Sequence, residues 1–273
     1  MNILASVKGE YIMKKIFALA LAAVMSLSLF ACSSDSDKGS ALVYGTSADY
    51  PPFEFHVMDN GEDKVVGIDV SLARQIAADM DAELTISEMN FDNLLTLMAQ
   101  GNCDFVIAAM ESSPERLESA SCSDPYYTDL PAMIITKKAN LDQYKSMADF
   151  AGETVGAQSG TTKADIVTGD MTDAIPALMT SVVDLVNNLV YDKCDALVLD
   201  GAVALQYVKT NPDLAVVEAV PLGEALPYCV WVAKDDPKGL LPSINETIAK
   251  VLADGSMDAY ITEANALSDQ AIG

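Results

Sequence analysis

Leu94-Leu-Thr-Leu-Met-Ala-Gln-Gly-Asn-Cys-Asp-Phe-Val-Ile-Ala-Ala-Met110 reads as an apolar helix, a polar turn, Cys-Asp and an apolar strand. The same order returns in Val182-Val-Asp-Leu-Val-Asn-Asn-Leu-Val-Tyr-Asp-Lys-Cys-Asp-Ala-Leu-Val-Leu-Asp200. An uninterrupted apolar run such as Phe105 to Ala109 is expected of a parallel strand covered on both faces. A helix feeding such a strand belongs to an alternating α/β pattern. Two copies of one unit fit two α/β lobes better than one continuous sheet.

The flanking sequence extends both units. Leu42 to Thr46 is β-rich, and a turn at Gly61 precedes a helix that Asp69 can cap, with Ala73, Ile76, Ala77 and Met80 on its apolar face. Leu84 to Ile86 returns as a strand. Asp92 is placed to cap the helix over Leu94 to Met98, and Gly101 to end it. In the second unit Glu153 to Ala157 is a strand, Gly160-Thr161-Thr162 opens a helix, Leu178 to Leu189 is a helix and Ala196 to Leu199 a strand. Leu226 to Val232 is a further strand, and the last helices run from Pro237 to Ala266.

The N-terminus carries a different signal. Met13-Lys-Lys15 is basic, Ile16 to Ala31 is almost wholly apolar, and the run stops at Leu29-Phe-Ala-Cys32. Residues 1–31 therefore read as a secretory signal peptide; the apolar run falls short of the ~20 residues a spanning helix needs. The Leu-x-Ala-Cys ending resembles the bacterial lipobox, which makes Cys32 the expected lipidation site. Residues 32–41 hold almost nothing to bury and read as a flexible tether. The chain has 16 basic and 40 acidic residues, formal net charge −24. Such a surface repels phosphate backbones, so no nucleic acid is expected as a partner. Cys103, Cys122, Cys194 and Cys229 form no C-x-x-C pair and there is one histidine, His56, so no metal and no cofactor is expected. Sequence does not say whether any of the four cysteines pair.

Three further stretches carry a resemblance. They are Tyr44-Gly-Thr-Ser-Ala-Asp-Tyr-Pro-Pro-Phe-Glu-Phe-His-Val-Met58, Ala108-Ala-Met-Glu-Ser-Ser-Pro-Glu-Arg116 and Cys122-Ser-Asp-Pro-Tyr-Tyr127. Together they are similar to bacterial extracellular solute-binding proteins of family 3, the amino-acid-binding lipoproteins of ABC importers. The resemblance implies a two-lobed, hinge-connected α/β fold of the periplasmic-binding-protein type II, with a discontinuous first lobe. Lobe 1 is then 42–128 and 228–273, and lobe 2 is 129–227. It implies an extracytoplasmic monomer, lipid-anchored to the cell membrane, that captures a polar neutral or cationic L-amino acid and delivers it to a membrane permease. Two other readings stay open: a cyclohexadienyl or arogenate dehydratase-like enzyme on the same fold, with Glu111 as a conceivable general acid, and a ligand-binding module for a signalling receptor.

The site residues follow from the resemblance, each beside a plainer reading. Arg116 offers a planar fork of donors that matches a carboxylate; the plain alternative is a surface arginine paired with Glu115 or Glu118. The resemblance makes it the clamp of the ligand α-carboxylate. Gln158, Thr161 and Thr162 lie where a strand meets a helix N-terminus, where Thr161 could equally be an N-cap. Asp200 ends a strand, where open α/β sheets bind ligands; the resemblance makes it the acceptor of the α-ammonium, and the alternative is a helix cap. Tyr50 and Phe91 match positions whose rings sandwich the ligand side chain, or are core. Asp49 completes the set, or is a solvated loop acid. Glu111 stands where the family has a hydroxyl, and Ala109 where it has glycine, which narrows the pocket. Arg116 against Glu111 and Asp200 leaves an excess of negative charge, unfavourable to an acidic ligand side chain, which a base such as Lys163 could offset.

Overall fold

The computed structural model describes residues 40–271. The expected signal peptide, Cys32 and the tether up to Gly39 lie outside the described residues. β1 (Ser40–Thr46) starts two residues earlier than the sequence pattern indicated and turns Leu42 and Tyr44 into the core. β2 (Asp49–Tyr50), β3 (Glu54–Asp59) and β4 (Glu62–Val66) make a small antiparallel sheet. Asn60 and Gly61, both at positive φ, form the two-residue turn between β3 and β4, where that backbone matches the strand twist. α1 (Ile68–Asp79) follows, and its N-cap is Gly67. Asp69 is therefore not the cap; it sits inside the first turn, fully buried.

β5 (Ala82–Glu88) leads through a 3-10 turn at Phe91–Asn93 into α2 (Leu94–Ala99). Asp92 lies within that turn and makes no cap bond, contrary to the sequence expectation. β6 (Phe105–Val106), α3 (Pro114–Ser119) and β7 (Ala120–Tyr127) complete this stretch. The chain then crosses to a second lobe. There β8 (Met133–Lys137), β9 (Thr154–Gln158), α4 (Thr162–Asp165), β10 (Ile175–Met179), α5 (Val182–Val190), β11 (Ala196–Leu199), α6 (Gly201–Thr210) and β12 (Leu214–Val216) form one layer of sheet with its helices. The expected helix from Leu178 is shorter than the pattern suggested: Leu178 belongs to β10, and the helix begins at Val182 under the Ser181 cap. β13 (Tyr228–Ala233) returns to the first lobe, and α7 (Leu241–Asp254) and α8 (Ser256–Leu267) follow.

The first sheet has the order β5-β1-β6-β13-β7 and the second β10-β9-β11-β8-β12. β13 pairs antiparallel with β6 and β7, so lobe 1 is discontinuous in sequence. The Cys-Asp repeat acquires a physical meaning here. Asp104 exchanges backbone contact with Val43, and its carboxylate accepts the Val43 amide at 2.6 Å. Asp195 does the same for Thr154, at 2.8 Å. In each lobe an aspartate just before the central strand ties down the neighbouring parallel strand, at the middle of β1 and at the start of β9. Among the described residues, Cys103, Cys122, Cys194 and Cys229 are free thiols. Among the described residues no helix is long and apolar enough to cross a membrane.

Candidate functional site

Side chains from both lobes meet in the cleft between the carboxyl ends of the two sheets. Tyr50 arrives on β2. Glu111 follows β6 and Arg116 lies on α3. From the other lobe come Thr162 and Lys163 on α4 and Asp200 at the end of β11. Asp200 is formally the N-cap of α6, yet its side chain makes no cap bond. Instead one of its oxygens accepts the Tyr50 hydroxyl at 2.5 Å, and the other lies 2.7 Å from the Lys163 ammonium. Lys163 also reaches Glu111 at 2.9 Å, and the Thr162 hydroxyl donates to the same Glu111 oxygen. Glu111, Lys163 and Asp200 expose only 5%, 4% and 3% of their surface, so all three charges are paired away from water.

Arg116 pairs with neither Glu115 nor Glu118. Its guanidinium donates to the Glu111 carbonyl at 2.8 Å and, across the cleft, to the Gly160 carbonyl at 3.0 Å. It lies over the Phe91 ring at 5.4 Å, within cation–π range. The turn that carries it is held from below. Ala109 has φ 45, and its amide donates to Asp69 at 2.6 Å. Tyr126 donates to the other Asp69 oxygen at 2.8 Å. Glu54, fully buried, has no hydrogen-bond partner among the described residues for either carboxylate oxygen, and burial, with Asp69 beside it, raises its carboxyl well above the ordinary value.

The other expected residues are placed differently. Gln158 turns away and donates to the Thr180 carbonyl at 3.0 Å within lobe 2. Thr161 is the N-cap of α4, accepting the Ala164 amide at 3.1 Å. Asp49 accepts the Val182 amide at 2.7 Å, so it fastens lobe 1 to the start of α5. Lys163 lies outside the expected set, and its only sequence signal was its position directly after Thr161-Thr162. With it, the four charges of the cleft, three buried and Arg116 half-buried, balance, which removes the excess negative charge counted without it.

Burial raises carboxyl groups, and neighbours decide the outcome. For Glu111 burial is outweighed by Lys163 and Thr162, which hold it below its ordinary value. Asp49 is pushed up to about 6 by burial, against the Val182 amide. Burial pulls the Arg116 guanidinium down, with Glu111 and Asp200 opposing. Two cavities lined from both lobes are rich in acids. A cavity of about 330 Å³ has Asp92, Glu115 and Asp165 beside Arg116 and Phe91. On the other side a cavity of about 410 Å³ has Asp49, Glu88 and Asp184, with His56.

Known proteins share this arrangement of lobes. ABC transporter arginine-binding protein 1 of Escherichia coli is 34% identical over 244 residues, 87% of this chain and 94% of that protein. The arginine-binding extracellular protein ArtP of Bacillus subtilis is 36% identical over 211 residues, 74% of this chain and 79% of that protein. The crystal structure of the amino acid ABC transporter substrate-binding protein AbpA from Streptococcus pneumoniae, bound to L-arginine, superposes with a TM-score of 0.80 at 31% identity, covering 85% of this chain and 96% of that one. The sequence profile of the bacterial extracellular solute-binding proteins, family 3, matches residues 42–263. With its two lobes, its discontinuous first sheet and this cleft, the chain belongs to that family.

Proposed function

We propose that the chain is the substrate-binding protein of an amino-acid ABC importer and holds a polar neutral or cationic L-amino acid, arginine foremost, between its lobes. The observation that carries this reading is the convergence of Arg116, Glu111 and Asp200 from two lobes into one cleft, with both acids buried. Arg116 suits the ligand carboxylate and the two acids its ammonium. Tyr50 and Phe91 flank them. The two acid-rich cavities between the lobes favour a cationic side chain over an acidic one. The relatives named for arginine support the same ligand class.

The cleft acts as a binding site rather than a catalytic one. A general acid must hold a proton near its working pH, whereas Glu111 is kept below its ordinary value and is ionised at neutral pH. Closure is a hinge motion that brings lobe 2 onto the ligand, and the membrane permease receives the closed form. The protein works as a monomer outside the cytoplasm, tethered through a lipid on Cys32. Cys32→Ser should release it from the membrane fraction or block its processing; a variant that stays in that fraction with unchanged mature mass removes the anchor from the reading. Thermal melts with each of the twenty amino acids test the ligand class. A ligand at a hundred times its Kd stabilises by ~2.7 kcal/mol, so arginine should raise the Tm by several degrees. No rise with any amino acid refutes the reading.

A further inference from the structure

We infer that Lys163 is a tethered competitor of the ligand, its ammonium occupying the place the ligand's own ammonium must take. The inference rests on the amino-acid reading of the cleft and concerns how that site is tuned. Asp200 and Glu111 are the two acceptors suited to a ligand α-ammonium. The Lys163 ammonium bridges both, at 2.7 and 2.9 Å. The second oxygen of Asp200 takes the Tyr50 hydroxyl, and Glu111 receives Thr162 and the Leu226 amide as well. Each of the four carboxylate oxygens already has a donor. A second ammonium brought to the same oxygens meets the first at short range in a water-poor site, where like charges repel strongly.

An amino acid therefore binds by displacing Lys163 on its flexible four-carbon stem. The Glu111 to Lys163 pair also spans the two lobes, so the lysine bridges the cleft in the same sense as a ligand would. Its effect is to weaken every ligand that carries a free α-amino group, by making each exchange one ammonium for another. Glu111 and Lys163 form a matched pair in this respect. A neutral hydroxyl in place of Glu111 would leave the lysine with Asp200 alone.

The test compares the intact protein with its Lys163→Met variant by calorimetry, using L-arginine and N-acetyl-L-arginine. Removing the competitor should tighten L-arginine at least tenfold and leave the acetylated ligand, which has no ammonium, without that gain. Unchanged or weaker L-arginine binding by a folded variant overturns the inference, and so does an equal gain for both ligands. Because Lys163→Met leaves two buried carboxylates facing each other, the same comparison is made between Glu111→Thr and Glu111→Thr/Lys163→Met, where the charge is balanced better. In the unaltered protein, the Nζ resonance of Lys163 should shift on saturation with L-arginine, and an unmoved resonance also overturns it. If no L-α-amino acid binds the unaltered protein or either lysine variant, the amino-acid reading itself fails; binding without the expected gain removes the competitor alone.

Discussion

Arg116 makes two bonds to backbone carbonyls, one in each lobe, and stacks on Phe91. A carboxylate in the cleft offers it a bidentate partner of opposite charge, a stronger one than two neutral carbonyls. Arg116→Ala should keep the fold and cost ~2–5 kcal/mol of amino-acid binding, as for other desolvated charge pairs cut on one side. Calorimetry with L-arginine measures it, and unchanged affinity would remove Arg116 from the site. Arg116 and Asp200 were expected from the sequence because each follows an apolar run inside a recognisable motif, Asp200 at the end of β11 and Arg116 on the helix after β6. Lys163 was less so. A residue in the first turn of a helix does not reveal where a long flexible side chain ends, and its two partners lie 52 and 37 residues away. Glu54 was invisible for another reason: nothing in Pro-Pro-Phe-Glu says that its acid is fully buried against Asp69.

At the scale of elements, burial on both faces decided what could be read. The central strands and the helices before them carry apolar runs, and the sequence pattern finds them. β10 is an edge strand with Ile175 and Leu178 exposed, so its pattern merges into the following helix. The β3–β4 hairpin is half exposed and acid-rich, and only its Asn-Gly turn marks it. The cap expectations failed where a neighbouring element claimed the aspartate: Asp69 is drawn inward by Ala109 and Tyr126. Gly67 starts α1 instead, at φ 133, and a Cβ there would stand 2.0 Å from the Phe53 carbonyl oxygen. Gly67→Ala combines a backbone conformation closed to alanine with overpacking, and should destabilise by at least ~2 kcal/mol. Chemical denaturation checks it; a loss below half of that would mean the segment from Phe53 to Gly67 yields easily.

For the molecule as a whole, the buried acids couple stability to pH. Burial pushes the Asp69 carboxyl up to about 6, and burial with Asp69 beside it raises the Glu54 carboxyl well above its ordinary value. A carboxyl that keeps its proton longer in the folded than in the unfolded chain favours folding at low pH. That contribution is complete below pH ~4, where both states are protonated, and is lost as pH rises through the folded value. For Asp69 the change is worth ~3 kcal/mol between those limits. Stability should therefore fall from pH 5 to pH 8, and Glu54→Gln, whose amide can donate to Asp69 without titrating, should flatten the decline and melt higher at pH 8. Melting curves across that range decide it; a wild-type Tm that rises toward pH 8, or an identical slope in the variant, would count against a raised buried acid pair.

Two lobes, a cleft with paired charges and acid-rich cavities beside it carry the central proposal, that this chain captures an amino acid of neutral or positive side chain. Calorimetric titration of the intact protein at neutral pH with arginine, lysine, histidine and glutamine, against aspartate and glutamate, tests it directly. Saturable binding of one ligand per chain is expected, tightest for a cationic or polar neutral amino acid and weakest for the two acids. No heat of binding with any of them, or tightest binding by aspartate or glutamate, would contradict it.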